Sequence, residues 1–219
     1  VTTISAPLIA LLCALALCGG HVAHAEVLDE IRTRGTVRIA TTADYRPFSF
    51  MDAGKAVGID IELGRALAAA LGVEVDWIPT SWPTLLDDLT ANRFDIAMSG
   101  ISITTERASH GAFSRPYFHT GKTILVRCAL NQRVQTLADV DRADLRVIVN
   151  PGGSNHRFVV DHIHHARIIV HPDNVTVFDA LARGEADVMI TDAVEAQLES
   201  TRNTDLCTTP SPPYLAAVD

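Results

Sequence analysis

The sequence predicts an α/β protein of two lobes, each a mostly parallel sheet flanked by helices. Three observations carry this expectation. Short apolar runs alternate along the chain with amphipathic stretches of helical period. The runs open into glycine and small hydroxyl residues that lead into the next helix, as in SGISITTER and NPGGSN. That order occurs twice, which sets the expected boundaries at 26–125 for the first lobe and 126–207 for the second.

Before the first lobe, Leu8 to Leu17 is an almost unbroken apolar run. Gly19-Gly20 ends it, and the small-x-small pattern Ala23-His24-Ala25 follows. This reads as a secretory signal peptide over residues 1–25, cleaved after Ala25 and too short to span a membrane comfortably. Val1 to Pro7 departs from the pattern in carrying no Lys or Arg. The leader has no charged side chain, so the net charge of −8 belongs entirely to the 194 residues (219 − 25) after it. An acidic exported chain excludes a nucleic-acid binder and fits a soluble periplasmic protein without stable membrane insertion. Cys13 and Cys18 leave with the leader. Cys128 and Cys207 remain, either as two buried thiols or, the preferred reading in an oxidising compartment, as a disulfide.

In the first lobe, Val27 to Arg34 is a short helix stopped by Gly35, and Val37 to Ala40 is the first strand. Its end opens into Asp44, Tyr45, Pro47 and Phe48, a hydrophobic lid or a ligand-stacking wall. The spacing predicts a helix over Asp60 to Leu71, with Ile61, Leu63, Leu67 and Leu71 inward and Gly72 as its stop. Val73 to Ile78 is the second strand. Pro83 then opens a helix with Leu85, Leu86 and Leu89 on its apolar stripe and Asp87, Asp88 and Asn92 facing water. Phe94 to Met98 reads as a strand buried on both faces. It ends in Ser99, Gly100, Ser102, Thr104 and Thr105, an anion cradle at a helix start, with Arg107 able to clamp a carboxylate. The plain alternative is an ordinary strand-to-helix connection with a surface arginine.

The second lobe repeats the scheme with strands at Thr123–Cys128, Leu145–Val149, Arg167–Val170 and Asp187–Ile190. Helices follow Asn155, run from an Asn174 cap to Ala182, and carry Glu195. His162, His164 and His165 read as a solvated polar patch, because no carboxylate or cysteine set lies at ligand spacing. No metal site is expected.

Taken in order, ATTADYRPFSF, TSWPTLLDD, RFDIAMSGISITTER, FSRPYFHTGKT, VNPGGSN, VHPDNVTVF and ADVMITDAVEA resemble the periplasmic amino-acid-binding proteins of the type 2 fold. Within that superfamily, TSWP, GKT, NPGGSN and TDAVEA in combination resemble the cyclohexadienyl dehydratases. The resemblance runs from about Leu28 to Cys207. It implies decarboxylating dehydration of prephenate to phenylpyruvate, of L-arogenate to L-phenylalanine, or of both, with no cofactor because aromatisation drives the reaction. It implies Glu195 as the general acid, and Lys122 with Arg107 as cationic ligands of the substrate carboxylates. Asn150, Gly153 and Ser154 match the second lobe's anion-binding turn, facing Ser99 and Ser102 of the cradle read above, and Trp82 matches an aromatic wall or is plain helix-end packing, with Tyr45 as the other candidate wall. Asp192 matches the position that holds the α-ammonium in amino-acid binders, or it caps the helix. The plain reading of Glu195 is a first-turn glutamate stabilised by the helix dipole. The family's return strand and final helices have no counterpart after Cys207, so residues 208–219 read as a proline-rich tail and the first lobe as incomplete. The alternative function is a non-catalytic amino-acid-binding subunit of an ABC uptake system.

Overall fold

A computed structural model of the chain describes residues 22–209. The apolar leader before residue 22 and the tail from Pro210 onward lie outside the described residues, as do the side chains of residues 22–26.

The first lobe opens with α1 (Val22–Arg34) and β1 (Thr36–Thr41). A small meander of β2 (Asp44–Tyr45), β3 (Ser49–Asp52) and β4 (Lys55–Val57) follows. Then come α2 (Ile59–Leu71), β5 (Glu74–Pro79), α3 (Leu85–Thr90), β6 (Ile96–Ala97) and α4 (Thr105–Ala108). β1 lies between β5 and β6 in a parallel three-stranded sheet, the β-α-β arrangement expected. β1 alternates its faces, so Val37 and Ile39 join Ile31 and Ala68 on one side while Ala40 meets Leu85 and Phe94 on the other.

Three local expectations fail here, and one element was not expected. The buried stripe of α2 is Ile61, Gly64 and Ala68, and Leu63 is exposed. Gly64 is the cause: a β-carbon there would lie 2.7 Å from the Trp77 ring, so the helix docks through its smallest residue and is rotated away from the leucines. Asp88 is buried, accepting hydrogen bonds from Thr80, Thr84 and Arg93. The strand at Phe94–Met98 shrinks to two edge residues, with Ile96 exposed. The β2–β3–β4 meander was not foreseen, because its residues do not alternate apolar with polar.

The second lobe holds β7 (Lys122–Arg127), a 3₁₀ turn (Cys128–Leu130), α5 (Leu137–Val140), β8 (Arg146–Val149) and α6 (Ser154–His162). It continues through β9 (Arg167–Val170), α7 (Val177–Ala182), β10 (Val188–Asp192), α8 (Ala193–Arg202) and β11 (Leu206–Thr208). The sheet order is β11-β7-β10-β8-β9. It is mixed, not mostly parallel: β7 runs antiparallel to both β10 and β11. β7 lies wholly in this sheet, so the expected boundary at 125 cuts a strand and the crossing falls before Lys122. Alternating residues of β7, β8 and β10 feed two cores. Ile124, Val126, Val147, Val149, Val188 and Ile190 pack under α6, while Leu125, Ile148 and Met189 pack under α7 and α8.

Cys128 and Cys207 form a disulfide with Cα atoms 4.9 Å apart, tying β11 to the end of β7. Asn174 does not cap α7; Thr176 occupies that position. The Asn174 amide instead donates to the Asp44 carbonyl in the other lobe, at 3.0 Å. In the histidine patch, the backbone N–H groups of His164, His165 and Ala166 and the His165 ring all bind Asp141.

Candidate active site

The strand ends of both lobes converge on one buried cluster. Lys122 starts β7 and Asp192 ends β10, and their antiparallel register puts them opposite each other. Lys122 Nζ donates to Asp192 Oδ1 at 2.6 Å and to Ser154 Oγ at 2.9 Å, and its side chain is 1% exposed. Asp192 Oδ2 accepts from the Tyr45 hydroxyl of the first lobe at 3.0 Å. Asp192 occupies the N-cap position of α8 without a side-chain capping bond, so the helix-cap alternative does not describe it.

Glu195 lies in the first turn of α8, yet it is 2% exposed. It is therefore not the solvated first-turn glutamate of the plain reading. Its Oε2 accepts from the Thr191 hydroxyl, and Thr191 Oγ1 accepts from Asn155 Nδ2 at 3.0 Å. Burial pushes the Glu195 carboxyl well above its ordinary pKa. The Thr191 bond and the Lys122 charge pull it down, while Asp192 and Glu199 push it up, and burial wins.

Tyr45, Trp82, Gly100, Ser102, Asn150, Gly153, Ser154, Asn155, Asn174, Asp192 and Glu195 line a cavity of about 20 Å³. That is room for one water and not for an organic anion. The lobes are closed upon each other, with Ser102 Oγ 3.4 Å from Ser154 Oγ and an ion pair between Arg157 and Glu106. Gly152 is packed so near the first lobe that a β-carbon would lie 2.6 Å from Pro83 Cα. Beside the cavity, and sharing Trp82 and Ser154 with it, is an open cleft of about 610 Å³.

The described residues include no cluster of His, Cys, Asp and Glu able to hold a metal ion, and no described helix is long and apolar enough to cross a membrane. Residues 37–204 match the model of the bacterial extracellular solute-binding proteins, family 3.

The chain is a family 3 solute-binding protein.

Among curated members, cyclohexadienyl dehydratase of Pseudomonas aeruginosa is 47% identical over 181 residues, covering 82% of this chain and 68% of that one. The L-cystine-binding protein TcyJ of Escherichia coli is 29% identical, covering 78% of this chain and 64% of that protein. The chain thus spans about two thirds of the length of these relatives. A solved ancestral amino acid-binding protein, titled a precursor of cyclohexadienyl dehydratase, superposes with a TM-score of 0.79 at 36% identity, covering 87% of this chain and 85% of that one. Holo ArgBP from T. maritima gives a TM-score of 0.79 at 31% identity, covering 87% and 83%. These likenesses bear out the two-lobed type 2 solute-binding fold and the resemblance to cyclohexadienyl dehydratase within the family.

The family fold brings most of the expected site residues together. Tyr45, Trp82, Ser102, Asn150, Gly153, Ser154, Asp192 and Glu195 line the cavity, and Lys122 is bonded to two of them. Arg107 stands one step back, its Nη1 donating to the Ser102 carbonyl at 3.0 Å and its guanidinium 5.6 Å from the Trp82 ring centre. It lines the open cleft. Ser99 is outside the lining: fully buried, its hydroxyl bonds Thr41, Thr42 and Ser49 within the first lobe. Gly100, expected in the cradle, also lines the cavity, whereas sequence reading gave no site role to Asn155, Asn174 and Thr191. Asn155 and Thr191 directly adjoin Ser154 and Asp192, so a neighbour search from those two would have found them.

Proposed function

We propose that the chain is a cyclohexadienyl dehydratase, a carbon–oxygen lyase acting on prephenate, L-arogenate or both in the periplasm, with residues 1–25 as its export signal. The observation that carries this is Glu195: a carboxyl shut away from water, raised in pKa by burial and set beside Lys122 and Asp192. The likeness to the Pseudomonas aeruginosa enzyme supports the same reading.

The chemistry needs a protonated acid, because hydroxide is a poor leaving group. Glu195 gives its proton to the ring hydroxyl, the C–O bond breaks and water departs. The electrons of the ring–carboxylate bond become ring π electrons as CO2 leaves, and the ring turns aromatic. Lys122 has three N–H donors, two of them engaged by Asp192 and Ser154, and the third serves a substrate carboxylate. Lys122 and Arg107 balance the substrate carboxylates, and Trp82 and Tyr45 flank the ring. Solvent then reprotonates Glu195. The lobes part to admit substrate, since the closed cavity holds only about 20 Å³.

The test is turnover of prephenate to phenylpyruvate, and of L-arogenate to L-phenylalanine, by the purified chain. Glu195→Gln should lose at least about a hundredfold in kcat while still binding substrate. Wild-type turnover in Glu195→Gln removes the acid from this role. Absence of turnover with tight binding of a free amino acid identifies a non-catalytic amino-acid-binding protein instead, as the cystine- and arginine-binding relatives are by name.

A further inference from the structure

We infer that Thr191, held by Asn155, is a positioning residue that fixes which oxygen of Glu195 carries the catalytic proton. The inference rests on the reading of Glu195 as the acid. A threonine hydroxyl has one hydrogen and two lone pairs. The Asn155 amide donates to one lone pair of Thr191 Oγ1, and the Thr191 hydroxyl in turn donates to Glu195 Oε2. With Oε2 accepting, the carboxyl proton sits on Oε1, and Glu195 lines the small cavity between the lobes. The three side chains come from three elements, α6, β10 and α8, and all are buried. Thr191 is β-branched at the end of a strand, so its χ1 is stiff.

The arrangement works in both halves of the step. Before proton transfer it directs the acidic hydrogen away from the protein interior. As the proton passes to the departing hydroxyl oxygen, the electron pair of the O–H bond stays on Glu195 as carboxylate. The Thr191 hydroxyl is already aimed at that growing charge, with no reorganisation needed. The other charges facing Glu195 are Lys122 from β7, Asp192 at the end of β10 and Glu199 one turn along α8, whose own neighbours include Arg46 and Arg202.

The experiment compares wild type, Thr191→Val and Thr191→Ser in kcat and KM across pH. Alongside it, the Glu195 carboxyl is titrated by ¹³C NMR in ligand-free protein, with Glu195→Gln for assignment. Valine keeps the shape and deletes the donor. The expected result is a fall in kcat of about ten- to a hundredfold with KM within about twofold. The alkaline limb of the kcat profile and the NMR midpoint both move to higher pH, because the carboxylate has lost a stabilising bond. Serine should restore kcat to within about threefold and return both midpoints. An unmoved NMR midpoint in Thr191→Val overturns the inference, as does a serine variant as impaired as valine. The titration needs no turnover. A wild-type chain inactive on both substrates therefore sinks the functional reading, while the NMR midpoint still decides the role of Thr191.

Discussion

Replacing Lys122 by methionine tests whether the Lys122–Asp192 pair holds the site together. Lysine and methionine have similar unbranched stems, so the packing of the first three side-chain carbons survives. What is lost is the ammonium, with its 2.6 Å bond to Asp192 and its 2.9 Å bond to Ser154. The Asp192 side chain is 6% exposed and is left with the bond from the Tyr45 hydroxyl. Removing one member of a buried ion pair costs about 3–5 kcal/mol, mostly from the charge left behind. With a urea slope of about 2 kcal/mol per molar, the unfolding midpoint should fall by about 2 M. Adding Asp192→Asn removes the stranded charge, so the double variant should be more stable than Lys122→Met alone, with a coupling energy of about 2 kcal/mol or more. Urea unfolding followed by circular dichroism measures all four proteins. A single-variant loss under about 1 kcal/mol, or a double-variant loss equal to the sum of the singles, refutes the reasoning.

Glu195→Gln should stabilise the protein at neutral and alkaline pH. The folded carboxyl is raised above its unfolded value, so its contribution is full below about pH 4 and is lost as pH rises through the folded pKa. The melting-temperature gain of the glutamine variant should grow from near zero at about pH 4 to a clear increase at about pH 8; a gain independent of pH contradicts burial as the cause. Gly152→Ala should hold the lobes apart, since Gly152 has φ of 80° and its β-carbon would meet the Pro83 backbone. Small-angle scattering should give a larger radius of gyration and titration a weaker affinity for substrate; an unchanged radius rejects the wedge. Replacing both Cys128 and Cys207 by alanine should cost about 2–5 kcal/mol in chemical denaturation, because the bridge closes a loop of 79 residues' separation. An unchanged midpoint would mean that the sheet alone restrains that loop.

Much of the fold was legible because apolar runs and their stop signals are local. Arg167–Val170 forms a strand with the expected bounds, and Gly72 ends α2 in a left-handed conformation. What was not legible depends on distant partners. No pattern within α2 says that Trp77 will lie over Gly64 and turn Leu63 outward. Asp88 is the exception, because the partners that make its burial tolerable, Thr80, Thr84 and Arg93, all lie nearby in sequence and could have been weighed. Strand direction in the second sheet is likewise a tertiary fact, since Lys122–Arg127 reads the same whether its neighbours run with it or against it. In the site, the motif neighbourhoods led to eight of the residues that line the cavity. The error at Ser99 came from treating every hydroxyl of one turn alike, although successive side chains on an extended backbone point to opposite sides.

The Lys122, Asp192 and Glu195 side chains all belong to the second lobe, while Tyr45, Trp82 and Ser102 belong to the first. The two halves therefore form a modular tool, with a handle that carries the acid and its ion pair and a jaw that carries the aromatic walls and Arg107. A designer can recut the jaw, altering Trp82 or Ser102 to admit a bulkier ring, and leave the acid on the handle as it was.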